Sequence, residues 1–243
     1  MKAFFLIFIA GIVSSCSTLF YQPARETFYL PQNFNLNYDE VKIETSDKVK
    51  LNGWWLKNST QESKGVILFF HGNAENISTH CFNLAWTTKY GYELLCIDYR
   101  GYGNSEGKPN QQGTYLDAIA SMDYAYEKIF LPLKKLHPKL KFIIYAQSLG
   151  GIITGRAVID WKNREQINLL VLDSTFSSYQ NIAFDKLKSV WLTFLLSPLA
   201  YLLISDEMEF KSKIDLIKPI PTLVIHGDSD PVIPQKFGKE IFD

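Results

Sequence analysis

Hydrophobic positions in this chain gather into short runs that stop abruptly at small or polar residues. Residues 66–71 (Val-Ile-Leu-Phe-Phe-His), 94–99, 141–147, 169–174 and 222–226 are of this kind. Runs of that length, rich in β-branched and aromatic residues and closed by Gly, Asn, Asp or Ser, predict buried strands. Helical patterns lie between most of them, at 73–90, at 113–130 and from the residue after Ser148 onward. Residues 41–45 and 49–56 flank Ser46-Asp47-Lys48 and predict a hairpin, and Pro132 and Pro138 bracket a predicted loop. Strands alternating with helices predict an α/β fold with a mainly parallel central sheet covered on both faces. Right-handed crossovers then place the C-terminal ends of the parallel strands on one edge.

That edge collects the residues with chemistry to offer. The run 141–147 ends in Gln147-Ser148-Leu149-Gly150-Gly151, and Ile152 to Ile159 reads as a helix. A serine on so tight a strand-to-helix turn is held above the sheet edge. It also sits at a helix N-terminus, where unpaired backbone N–H groups can hold an anion. Acyl transfer needs both an exposed nucleophile and waiting donors. Small residues two before and two after the serine let the turn close; here they are Ala146 and Gly150. Taken alone, Ser148 is equally well explained as a helix cap.

Three further motifs change the balance. His71-Gly72-Asn73 closes the first run, Asp98-Tyr99-Arg100-Gly101-Tyr102-Gly103 follows the second, and His226-Gly227-Asp228-Ser229-Asp230 closes the last. In this order and spacing the chain resembles the serine hydrolases of the α/β-hydrolase family, from about Val41 onward. Ala146 departs from the usual glycine. The resemblance implies Ser148 as nucleophile, with the backbone N–H groups of Leu149 and Asn73 as the oxyanion hole. It implies Asp230 as the acid that orients a histidine, with Asp228 as competitor, and His71 as a structural residue. It also implies a helical cap over the site at about 176–219. The apolar stretch 189–204, broken by Pro198, fits either an acyl-binding wall or plain packing.

The family order is Ser, acid, His, with the His about 25 to 35 residues after the acid in a loop beyond one more strand. Asp230 is followed by thirteen residues here, and none is histidine. His71 and His226 belong to motifs, His137 precedes its strand, and His80 lies on the first helix. The expectation is therefore a fold lacking its last strand and helix. Its function is that of a serine hydrolase of ester, thioester or amide bonds acting through an acyl-enzyme, impaired by the missing base. The alternatives are a membrane-anchored binding lipoprotein or an inactive remnant. No cofactor or metal is implied, and the expected partner is a small ester or acyl substrate.

The 243 residues, 47% hydrophobic, suffice for one sizeable core. Formal net charge is zero, so no basic footprint for nucleic acid is present. At the N-terminus Lys2 precedes an apolar run, 3–13, which is shorter than the roughly 20 residues a bilayer needs. Val13-Ser14-Ser15-Cys16 follows and resembles a bacterial lipoprotein signal, with Cys16 the lipid-bearing first residue of the mature chain. Residues 1–15 are then the signal, 16–37 a tether and 38–243 the domain. Ser17 resembles the outer-membrane sorting pattern, which implies the cell envelope on the periplasmic side. An ordinary secretory signal is the competing reading. Cys81 and Cys96 are expected to be buried free thiols, although an exported protein could pair them.

Overall fold

The computed structural model describes residues 20–60 and 62–243. The signal segment and Cys16 lie outside the described residues. Among the described residues seven strands form one sheet: β1 (Tyr38–Glu44), β2 (Lys50–Leu56), β3 (Gly65–Phe70), β4 (Tyr92–Ile97), β5 (Lys141–Gln147), β6 (Leu169–Asp173) and β7 (Thr222–Ile225). Their order is β1-β2-β4-β3-β5-β6-β7. The hairpin strand β2 pairs antiparallel with both β1 and β4, and every later pairing is parallel. This is the mainly parallel sheet that the alternating pattern implied.

The central strands are buried on both faces, which is why they are continuously apolar. Along β3 the side chains still alternate. Val66, Leu68 and Phe70 join a large core on one face with Ile144, Ile152 and Phe237. Ile67 and Phe69 join a smaller one on the other face with Ile77, Leu84 and Cys96. Period-two alternation thus assigns each residue to one of two helical layers.

The helical layers depart from the sequence reading in three places. Where one helix was expected over 73–90, Ala74 and Glu75 take left-handed φ values of 61° and 50°. Helix α1 (Ile77–His80) starts only after them, with the Asn76 side chain accepting from Ser78 N–H at 2.9 Å, and continues as 3-10 turns to Tyr90. The second helix, α2 (Gln111–Tyr124), runs through a π turn into α3 (Leu131–Leu136), so Pro132 lies in a helix rather than a loop. The wider π turn sits just before the residue that has no N–H to give, where the ladder must adjust. Third, Cys81 and Cys96 form a disulfide instead of remaining free thiols. Cys96 points to the sheet face on which 77–90 packs, which brings the two Cα atoms to 5.9 Å.

After β5 comes α4 (Leu149–Asp160), nearly all of it buried. Between β6 and β7, where the cap is expected, lie α5 (Tyr179–Ser189), a 3-10 segment (Phe194–Leu199), α6 (Ala200–Leu203) and a second 3-10 segment (Lys211–Leu216). Phe210 is fully buried and anchors the cap's return. The last helix is α7 (Lys236–Phe242). Residues 20–37, read as a tether, lie along the domain. Tyr21 is buried, with its hydroxyl 3.3 Å from Thr114 Oγ1 and 3.1 Å from Tyr179 Oη. Among the described residues no helix is long and apolar enough to cross a membrane.

Candidate active site

The parallel register decides what meets at the C-terminal edge. Phe70 pairs with Ala146 and Gln147 with Asp173, so Gly72 and Asn73 emerge beside Ser148. One strand further, Asp173 pairs with Ile225, and His226 to Asp230 emerge on the same edge, two strands from β5. At the usual interstrand spacing that is roughly 10 Å away.

Ser148 turns from strand to helix in a strained conformation, φ 52° and ψ −117°. Its N–H donates to Asp173 O at 2.8 Å, and its carbonyl accepts from Gly151 N–H at 2.9 Å and from Thr175 Oγ1 at 2.6 Å. The backbone is therefore pinned on both sides while the side chain remains partly exposed. Such strain in a non-glycine residue persists only where the surroundings enforce it. Gly150 is one reason that they can: a Cβ there would lie 2.4 Å from Phe70 O and 2.8 Å from His71 O. The smallness required after the serine is thus a matter of helix α4 abutting the end of β3.

The loop after β3 lies against the serine. A Cβ on Gly72 would stand 3.4 Å from Ser148 Cβ and 3.7 Å from His80 Cε1. The Asn73 side chain is occupied in holding this loop, since its Oδ1 accepts from Gln22 N–H and Tyr102 O–H, both at 2.8 Å. Among the described residues, the N–H groups of Asn73 and Leu149 make no hydrogen bond. An edge with two uncommitted N–H groups flanking a strained serine can hold a developing oxyanion.

His71 is fully buried. Its Nδ1 contacts Gly72 O at 2.7 Å, and burial, reinforced by nearby His80, pushes its pKa down to about 3. Nε2 has no hydrogen-bond partner among the described residues and lies 3.8 Å from Asp98 Oδ1. Burial pushes Asp98 the other way, up to about 7, against the hydrogen bonds that it accepts from Ile77 N–H and its other neighbours. The contact therefore joins a neutral imidazole to a carboxyl that holds its proton through the acid range; it is not an ion pair there.

Asp230 Oδ1 accepts from Val232 N–H at 2.7 Å and Ile233 N–H at 2.9 Å, so one oxygen shapes the loop. Its Oδ2 lies 3.9 Å from His226 Nε2. The competitor Asp228 is exposed and accepts from Gln235 Nε2 at 2.5 Å. His226 Nε2 is committed to Ile233 O at 2.7 Å, and His137 caps α3 at the opposite edge.

His80 is where the sequence reading falls short. Placed on a helix, it looked remote, yet its ring stacks on His71 with centroids 5.3 Å apart and flanks the same glycine as Ser148. The signal was the loop 73–76: a helix that starts at Ile77 instead of Asn73 keeps His80 at the sheet edge. Burial, the largest influence, lowers its pKa, and contacts with Ala74 O and the Gln147 side chain oppose that.

Comparisons with known proteins bear on the family and the fold. Residues 61–218 match the family described as serine aminopeptidase, S33. The chain is 29% identical over 245 residues to the uncharacterised protein YfhR of Escherichia coli O157:H7, covering 98% of this chain and 80% of that one. It is 30% identical over 225 residues to protein bem46 of Schizosaccharomyces pombe, covering 88% of this chain and 68% of that one. Among solved structures, the Pyrococcus furiosus esterase Pf2001 aligns with a TM-score of 0.64 at 23% identity, over 91% of this chain and 81% of its own.

Proposed function

The chain belongs to the serine aminopeptidase (S33) family of α/β-hydrolases, and we propose that it is built to cleave ester, thioester or amide bonds through an acyl-enzyme. In this reading Ser148 Oγ attacks the acyl carbon, the N–H groups of Leu149 and Asn73 take up the oxyanion, and Asp230 is the acid that orients a base. The observation that carries it is the strained, doubly pinned Ser148 set beside the uncommitted N–H groups of Asn73 and Leu149. Esters of acyl groups are preferred to peptides because the segment between β6 and β7 carries the long apolar stretch 189–204. The relation to a solved esterase agrees with that choice, and the family's description keeps peptide bonds as runner-up.

No histidine among the described residues is hydrogen-bonded to Ser148. Removing the base from a serine triad costs several orders of magnitude in rate and leaves the oxyanion hole and binding. With no such hydrogen bond, the described residues alone activate Ser148 only slowly, and the second reading is a membrane-anchored lipoprotein that keeps an acyl-binding pocket without turnover. Cys16 is proposed as the lipid attachment site, holding the domain on the periplasmic side of the outer membrane.

The test is hydrolysis of p-nitrophenyl esters of increasing chain length beside an aminoacyl-anilide. Slow ester turnover that disappears in Ser148→Ala supports the reading. Turnover untouched by Ser148→Ala, or anilide cleavage exceeding ester cleavage, overturns it.

A further inference from the structure

We propose that the outer face of the cap docks on an anionic phospholipid surface, beside the point where the N-terminal segment joins the domain. The proposal rests on the reading of Cys16 as lipid-bearing.

The cap turns an uncharged stretch to solvent. From Val190 to Ile204 the chain has no charged residue. Its inner side packs on α5: the rings of Phe184 and Tyr201 lie 5.2 Å apart, Thr193 Oγ1 donates to Leu187 O at 2.8 Å, and Ser197 and Ala200 are buried. Its outer side is unpartnered. Trp191 is 88% exposed and Leu195 84%, with Leu192, Leu199 and Leu202 exposed around them. A contiguous apolar surface with a tryptophan at its rim is what a membrane interface accepts and bulk water does not. The last turn of α5 adds Lys188, and Lys186 whose Nζ also donates to Pro231 O at 3.1 Å, at its border, where the negative surface potential of anionic lipid would act.

The occupant follows from where the chain comes in. Phe20 stands edge-on against Tyr179 at the start of α5, with ring centroids 5.2 Å apart, and Tyr21 bonds the Tyr179 hydroxyl. Gln22 N–H reaches Asn73 in the site itself. Cys16 is four residues before Phe20 in the sequence, a length of chain that spans at most about 14 Å. An acylated Cys16 would hold the bilayer against the base of the cap. The apolar face would then be covered by lipid, and the Ser148 edge would open toward acyl chains. A second copy of the chain could cover the face, but nothing about the N-terminal segment favours it.

The experiment uses the full chain, acylated in bacteria and reconstituted in phosphatidylglycerol–phosphatidylethanolamine vesicles. Leu195→Cys carries an environment-sensitive fluorophore, and Lys139→Cys, at the opposite edge, carries the control. The label at 195 should shift to the blue and lose at least half its emission to brominated acyl chains, whereas that at 139 should not. Trp191→Asp with Leu192→Asp should abolish the quenching while the chain still floats with vesicles. A chain that floats with its 195 label unquenched overturns the docking face alone. A chain that does not float overturns the anchor with it. A label already blue-shifted without lipid, in a sedimenting dimer, assigns the face to a second copy and overturns the proposal. None of these readouts involves hydrolysis, so they are separable from the fate of the hydrolase reading.

Discussion

Replacing Asp98 by Asn should change the slope of stability against pH, and the size of the change follows from the burial of one carboxyl. Asp98 is fully buried, and its pKa is pushed up from 3.8 to about 7. Between those values the folded chain holds a proton that the unfolded chain has released, so stability falls as pH rises. At about 1.4 kcal/mol for each pH unit this amounts to about 4 kcal/mol by pH 7. His71 works in the opposite sense. Its pKa is pushed down from 6.5 to about 3, so the unfolded chain binds the extra proton and stability rises with pH, by about 5 kcal/mol across that window. The two slopes nearly cancel from about pH 4 to 6.5. Asn at position 98 keeps the acceptor for Ile77 N–H and adds a penalty that does not vary with pH. Urea unfolding of wild type and Asp98→Asn, with the disulfide intact, should show the variant gaining about 4 kcal/mol on wild type between pH 4 and 7. His71→Gln should lose ground to wild type over pH 3 to 6.5. An Asp98→Asn variant that gains nothing on wild type, or loses ground to it, between pH 4 and 7 would refute the burial argument.

Gly150→Ala should cost about 2–3 kcal/mol, because its Cβ would meet the carbonyl oxygens of Phe70 and His71; thermal unfolding measures it, and a neutral effect would contradict the tight elbow. Reducing Cys81–Cys96, which closes 15 residues, should remove about 3 kcal/mol in denaturant titrations under matched conditions. Asp117→Ala should cost about 3–5 kcal/mol, since Arg100 is nearly buried and would lose two of the bonds that hold it; Asp47, the other partner, remains at the surface end of the guanidinium.

The parallel sheet was legible because its strands are buried on both faces and so are uniformly apolar, and the motifs at their ends were legible because parallel topology collects them on one edge. The elbow was visible in Ser148-Leu149-Gly150, although not its strain or the carbonyls that exclude a side chain at Gly150. Helix starts were less legible. Ala74 and Glu75 carry no turn signature, and only the structure shows them left-handed, which moves the helix start to Ile77 and returns His80 to the site. Pairing of Cys81 with Cys96 depends on which sheet face Cys96 takes, a matter of register that spacing does not encode. Pro132 was read by its usual role as a breaker, and a π turn ahead of it lets the helix continue.

The most direct measurement of Ser148 as a nucleophile to which no described histidine is hydrogen-bonded is chemical rescue. The chain is incubated with a fluorophosphonate and increasing imidazole, and the adduct is mapped by peptide mass spectrometry. Labelling should be slow alone, accelerate with imidazole, sit on Ser148 and vanish in Ser148→Ala. Labelling that imidazole does not accelerate, or an adduct that persists elsewhere at equal rate in Ser148→Ala, would contradict the assignment.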